Sequence, residues 1–153
     1  AYCRAIDENG DSVLGKMIFD FIQEKRFSRK CTLDITFGCS HYVTLDYERM
    51  VRDTYFMCGS GVYVASVLCN GDIYSCVDIE RRPELVQGNI DKDDFVDVWE
   101  NRFTIFREDR SLKCKDCIKC TDREFCRGDS THTWNFETNS PRLCLKNFFE
   151  ERK

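Results

Sequence analysis

The stretch Lys113–Cys126, KCKDCIKCTDREFC, carries four of the chain's eleven cysteines. Apolar residues at helical spacing stop where this stretch begins, and they do not return before Leu143. A segment without regularly spaced apolar side chains cannot build a core, so something else must order it. Cys117 and Cys120 are separated by two residues, which lets both sulfurs point at one metal centre. The stretch therefore predicts an irregular, metal-bound C-terminal segment, with zinc and an iron–sulfur cluster both compatible with the spacing.

The cysteine content distinguishes three classes of protein. Disulfides suit small secreted domains, whereas this chain has 153 residues, 42% of them hydrophobic, and can bury a core. Eleven cysteines also leave one without a partner. We therefore expect metal ligation in a reducing cytoplasm, and keep a secreted disulfide protein as a third alternative.

Charge and hydropathy exclude two kinds of partner. The net charge of −4 argues against nucleic acid, because nucleic-acid binders usually present a basic surface. No continuous apolar stretch reaches the length that a membrane span requires. We expect neither nucleic acid nor a membrane as a partner.

Residues 1–55 are predicted as a leading helix–strand–helix segment. Apolar residues at helical spacing favour a helix over residues 12–28, which Asp11 or Ser12 can cap. Alternating residues from Cys31 to Phe37 favour a strand with one buried face. Thr44 can cap a second helix that extends to about Tyr55.

Residues 56–153 are predicted as a second domain built on a β-hairpin. Asn70-Gly71 lies between two β-prone runs, residues 62–68 and 72–77, and is a strong hairpin signal because both positions tolerate positive φ. Residues 93–108 predict one amphipathic helix. The expected fold class is α+β, with a small antiparallel hairpin core, flanking helices and the irregular cysteine-rich segment.

A second group of cysteines lies around this hairpin. Cys58 precedes its first strand and Cys76 ends its second, so antiparallel pairing is expected to make them neighbours. Cys69 lies beside the turn at the far end, where a small buried apolar role is the simpler interpretation.

Together these spacings resemble the SPASM domain, the C-terminal extension of many radical SAM enzymes that modify peptides and proteins. The resemblance spans roughly residues 56–146 and includes the connector Gln87–Ile90 before a helix with Val98-Trp99. Its cysteine pattern is Cys58-x12-Gly71-x4-Cys76, then Cys117-x2-Cys120-x5-Cys126, then Cys144.

The resemblance implies two auxiliary 4Fe–4S clusters. Cys117, Cys120, Cys126 and Cys144 match the ligands of the second cluster. Cys58 and Cys76 match two ligands of the first. Cluster potentials would depend on the thiolates and on hydrogen bonds to the sulfurs.

The chain departs from the family pattern at Ser130, where a cysteine ligand of the first cluster is expected. Four alternatives stay open: Cys114 substitutes for it, Cys39 does, the first cluster has an open iron site, or it is smaller or absent. A different register, with Cys114 and Cys117 as the C-x2-C pair, fits the family spacing less well.

The C-x3-C-x2-C motif of the catalytic radical SAM cluster is missing from this sequence. We therefore expect a fragment that does not bind S-adenosylmethionine and is not catalytic alone; residues 1–55 would be the end of, or bridge from, the missing barrel. The resemblance implies that the full enzyme is an oxidoreductase-type maturase with a peptide or protein substrate and a flavodoxin- or ferredoxin-type electron donor. The rival hypothesis is a zinc-stabilised binding module without a redox role.

Overall fold

The computed structural model describes residues 12–28, 30, 32–38 and 41–150. They form two compact units, one from the residues up to Phe56 together with the segment from Cys144, the other from Met57–Leu143. The described helices are α1 Ser12–Phe27, α2 Leu45–Val51, α3 Phe95–Asn101, α4 Thr104–Arg107, α5 Lys115–Ile118, α6 Arg123–Cys126 and α7 Leu145–Glu150. The described strands are β1 Ser66–Val67, β2 Asp72–Tyr74, β3 Gly88–Asn89, β4 Trp134–Asn135 and β5 Ser140–Pro141. The predicted α+β class is confirmed.

The first unit packs α1 against α2 through aromatic contacts. Phe19 of α1 is buried and meets the ring of Tyr47 edge-on, with centroids 5.2 Å apart. Further buried apolar side chains of this unit are Ile22, Phe37, Tyr42, Val43, Val51, Phe56 and Leu145. The predicted helix at residues 12–28 is thus confirmed, ending one residue early. None of the described helices combines the length and the apolar character that crossing a bilayer demands.

A buried carboxylate, Glu48 on α2, organises the loops of the first unit. One oxygen accepts from the Val43 N–H at 2.9 Å and the other from the Phe56 N–H at 2.8 Å. Arg52, one turn later, pairs with Glu48 at 3.1 Å and donates to the His41 carbonyl. Both side chains lie below 10% exposure, so the pair acts in a weakly screened environment.

The predicted strand at residues 31–37 does not form in the described residues 32–38. Leu33 is 73% exposed, although the alternating pattern placed it on a buried face. Two distant partners take backbone groups here: Arg26 donates to the Ile35 carbonyl, and the Phe37 N–H donates to the Val51 carbonyl. A strand needs a neighbouring strand whose backbone completes its hydrogen bonds. Because these backbone groups bond to Arg26 and Val51 instead, the segment is irregular.

The hairpin of the second unit forms where Asn70-Gly71 predicts it, with shorter strands. β1 and β2 are antiparallel, with Ser66 opposite Tyr74 and Val67 opposite Ile73. The Gly71 N–H donates to the Leu68 carbonyl, and Gly71 takes φ +85°. Gly71 is thus the turn residue that uses the left-handed region. β3 pairs with β2 on its other side and completes a three-stranded sheet.

The single helix predicted over residues 93–108 is two helices, α3 and α4. Asp94 caps α3 by accepting from the Asp97 N–H. At the break Phe103 turns fully into the core. Arg107 folds back and donates to the Trp99 and Glu100 carbonyls, which satisfies acceptors at the end of α3. An apolar stripe predicts which face is buried, but it does not reveal such a break.

The core of the second unit lies between the sheet and these two helices. Its buried side chains are Ile73, Tyr74, Ile79, Leu85, Val98, Phe103 and Phe106. Within the cysteine-rich segment, the short helices α5 and α6 have no buried residues, whereas Trp134 is buried and Phe136 packs against this core. The expected lack of a core therefore holds for the stretch from α5 to α6 and not for the residues that follow it.

Replacing the buried carboxylate should destabilise the first unit. We expect Glu48→Ala to lower the free energy of unfolding by about 3–5 kcal/mol, since it leaves two buried N–H groups and Arg52 without their acceptor. Urea denaturation followed by circular dichroism measures the change. Asp46→Ala, on the exposed side of the same helix, is the control, with an expected cost below about 1 kcal/mol. Equal losses in the two variants would contradict the role of Glu48.

Candidate metal centre

Cys117 and Cys120 lie on one tight turn at the end of α5. The Cys120 N–H donates to the Cys117 carbonyl at 3.0 Å, and the Arg123 N–H donates to the Cys120 carbonyl at 3.2 Å. Both cysteines are partly exposed. The turn therefore holds the C-x2-C pair on the surface of the second unit, where a metal or cluster can reach the sulfurs.

Cys126 ends α6 and is followed by three left-handed residues. Arg127, Gly128 and Asp129 have φ of 51°, 87° and 69°. The Cys126 N–H donates to the Asp122 carbonyl, and its own carbonyl accepts from the Asp129 N–H at 3.0 Å. Backbone strain of this kind persists only where surrounding contacts hold it, and it concentrates at functional sites.

Contacts from Arg110 and Thr133 hold this left-handed run. Arg110 donates to the Asp129 carbonyl at 2.9 Å, and the Thr133 hydroxyl donates to the Asp129 carboxylate at 3.3 Å. Gly128 lies so close to Trp134 that an added Cβ would stand 3.0 Å from its ring. The backbone after Cys126 is therefore fixed by packing on one side and hydrogen bonds on the other.

Arg110 is a buried cation beside the cysteines, with 5% of its surface exposed. It donates to the Thr131 hydroxyl at 2.9 Å, and that hydroxyl lies 3.4 Å from the Cys58 sulfur. Burial lowers the pKa of the Arg110 guanidinium, while the nearby Cys58, Asp129 and Cys126 favour its charged form. The structure thus places one guanidinium beside Thr131, which contacts the Cys58 sulfur, and beside the backbone that follows Cys126.

The ends of the hairpin meet, as its pairing predicts. The Ser60 hydroxyl donates to the Ser75 hydroxyl at 2.7 Å, and both residues are buried. In the sequence, Cys58 precedes Ser60 by two residues and Cys76 directly follows Ser75. Cys76 packs against the apolar core of the second unit. Cys69 is exposed in the turn, so the small buried role expected for it is wrong.

Among the described residues, Cys114 and Ser130 concern the missing ligand of the first cluster. Cys114 is buried, with 7% exposure, at the start of α5, and its N–H donates to the Ser111 carbonyl. Ser130 has no exposed surface, and its hydroxyl lies 2.9 Å from that of Thr133. Their assignment as ligand and lost ligand stays a prediction.

Cys144 and Cys39 are the remaining candidate ligands. Cys144 precedes α7 and belongs to the segment that folds with the first unit, so its assignment as the fourth ligand rests on the cysteine pattern. Cys39 lies outside the described residues. Among the eight cysteines in the described part of the chain, no two form a disulfide.

The donor set suits an iron–sulfur cluster in its chemistry. Thiolates are soft ligands, and Fe–S clusters are held by them. Within the described ranges, no three Cys, His, Asp or Glu side chains converge as closely as a single metal ion requires.

Sequence reasoning missed Arg110 and Thr131. In the sequence, Arg110 looks like an ordinary surface charge in a polar stretch, and it belongs to no recognisable motif. Thr131 has one indirect signal, since it directly follows the position where the family pattern places a cysteine. Both emerge as site residues because chain segments far apart in sequence meet here.

Comparison with known proteins finds a family model that matches part of this chain. No curated protein and no solved structure matches the chain. One family model matches, SPASM, an iron–sulfur cluster-binding domain, over residues 58–121. That range contains Cys58, Cys69, Cys76, Cys114, Cys117 and Cys120 and ends before Cys126. The resemblance inferred from the cysteine spacing is confirmed for this range: residues 58–121 match the SPASM iron–sulfur cluster-binding domain.

Proposed function

We propose that this chain binds an auxiliary 4Fe–4S cluster through Cys117, Cys120, Cys126 and Cys144, as part of a cytoplasmic radical SAM maturase of peptides or proteins. The observation that carries the proposal is the SPASM match, which includes the surface turn of Cys117 and Cys120. The fixed backbone after Cys126 supports a third ligand close by in sequence. Cys144 completes four thiolates by the family pattern.

Electron transfer is the first role that we propose for the domain, by the family pattern. When bound, the cluster would supply a one-electron redox centre whose potential depends on its ligands, nearby charge and exposure. Both signs of charge lie near these cysteines, since Lys115, Lys119, Arg123 and Arg127 alternate with Asp116, Asp122 and Glu124. Positioning of the peptide is the second role that we propose for the domain.

The partners follow from the same proposal. A radical SAM barrel with a C-x3-C-x2-C motif would bind S-adenosylmethionine, and a flavodoxin- or ferredoxin-type protein would supply electrons. The substrate would be a peptide or protein. The sequence of the full reading frame tests the barrel, since a frame that encodes no such motif would contradict the maturase assignment and leave cluster binding intact.

A zinc-stabilised binding module is the second candidate, favoured by the C-x2-C turn itself. Such turns hold structural zinc in many small domains. Metal analysis after anaerobic purification separates the two functions. Iron with equimolar sulfide and a coloured protein support the cluster, whereas a colourless protein with stoichiometric zinc would reject it.

Removing one thiolate of the C-x2-C pair should abolish cluster binding. We expect the anaerobically reconstituted chain to hold about four irons, and Cys117→Ser to lose most of them. Colorimetric iron and sulfide assays with visible absorbance measure this. Cys69→Ser is the matched control, because Cys69 lies exposed in the hairpin turn. If both variants keep their iron, Cys117 is not a ligand.

Replacing Cys114 distinguishes the two registers of the motif. We expect Cys114→Ser to keep its iron and to unfold more easily, since it puts a hydroxyl in a buried site. The expected cost is about 1–3 kcal/mol, measured by thermal unfolding of the reconstituted chain. Loss of the iron from Cys114→Ser would instead assign Cys114 as a ligand.

A further inference from the structure

Two buried charged residues, Arg110 and Asp129, lie beside the backbone that follows Cys126. Each of the two has 5% of its surface exposed. The Arg110 guanidinium donates to the Asp129 carbonyl at 2.9 Å, and the Asp129 N–H donates to the Cys126 carbonyl at 3.0 Å. Two hydrogen bonds, both through the Asp129 backbone, therefore connect the guanidinium to a proposed ligand of the cluster.

The surrounding contacts fix the positions of both charges. Arg110 also donates to the Thr131 hydroxyl at 2.9 Å and lies over the Trp134 ring at 5.9 Å. The Asp129 carboxylate accepts from the Thr133 hydroxyl at 3.3 Å. Since Asp129 has φ 69°, its backbone keeps this conformation only because such contacts hold it. Each charge therefore acts on its surroundings from a fixed position.

In the described part of the chain, Arg110 donates its hydrogen bonds to a hydroxyl and a carbonyl, and its Nε has no partner. Burial lowers the pKa of the Arg110 guanidinium, whereas the nearby Cys58, Asp129 and Cys126 favour its charged form. A buried cation is costly unless negative or hydrogen-bonding groups surround it, and thiolates bound to iron are negative groups. These surroundings therefore fit a negatively charged cluster that Cys126 helps to bind.

A charge close to an iron–sulfur cluster changes the free energy of adding an electron to it. A 4Fe–4S cluster with four thiolate ligands is negatively charged, and reduction makes it more negative. A cation therefore stabilises the reduced form more than the oxidised form, and a carboxylate does the opposite. Burial weakens the screening by solvent and salt, so buried charges act more strongly than exposed ones.

We infer that Arg110 and Asp129 set the redox potential of the proposed cluster with opposite signs: the guanidinium raises the potential and the carboxylate lowers it. The inference rests on the proposed function and goes beyond it by naming two residues outside the ligand set that determine the redox behaviour. Exposed charges close by in sequence, such as those of Asp116 and Lys119, act through solvent and have a smaller effect.

Variants that remove one charge at a time test this inference. The full chain is reconstituted anaerobically, iron and sulfide are counted, and the midpoint potential is measured by a redox titration followed by electron paramagnetic resonance. We expect a more negative potential for Arg110→Gln and a more positive potential for Asp129→Asn. Arg110→Lys keeps the charge and should stay closer to the wild type than Arg110→Gln. Lys92→Met removes an exposed charge between β3 and α3, and as the control it should leave the potential unchanged.

The signs of the two shifts decide the outcome. Destabilisation of the fold alone gives no reason for the potential to move in opposite directions in the two variants. An unchanged potential in Arg110→Gln, or shifts of the same sign in both variants, would overturn the inference. If Arg110→Gln takes up no iron, Asp129→Asn decides, and a potential that is unchanged or more negative in that variant overturns the inference.

Iron in the wild type separates the inference from the proposed function. A wild type that binds iron with a potential that ignores these charges keeps the proposed function and loses the inference. A wild type without iron rejects the proposed function, and the inference with it.

Discussion

The buried guanidinium of Arg110 joins chain segments that are far apart in sequence through hydrogen bonds. It donates to Thr131 and to the Asp129 carbonyl, and it lies over the Trp134 ring at 5.9 Å. Through Thr131 it reaches Cys58, which precedes Thr131 by 73 residues in the sequence. A planar group with several fixed donors can join this many acceptors at once, which a lysine could not do.

Two kinds of interaction thus stabilise the second unit. The sheet and helices α3 and α4 bury a conventional apolar core. The cysteine-rich segment relies on polar contacts, short turns and, in the proposed function, metal ligation. Hydrogen bonds add little net stability each, about 1 kcal/mol, so a segment held mainly by them gains much from a cluster that binds only the folded form.

Local signals in the sequence predict those parts of the fold that depend on near neighbours. Asn70-Gly71 fixes the hairpin, and the C-x2-C spacing fixes the turn of Cys117 and Cys120, because each needs only residues within one turn. The strand expected at residues 31–37 and the long helix at 93–108 depend on partners elsewhere. The Ile35 carbonyl bonds to Arg26, and Arg107 folds back on α3, so neither outcome is visible in the local pattern.

The same distinction applies to the candidate site. The spacing of the cysteines resembles the SPASM pattern, but it does not reveal the surroundings of each sulfur. For Cys58 those surroundings include the N–H and the hydroxyl of Thr131, which lies 73 residues further along the chain. Arg110 also holds the Asp129 carbonyl in the strained run that follows Cys126. One buried cation therefore supports the backbone that follows Cys126, a proposed ligand, and through Thr131 it also contacts the surroundings of Cys58.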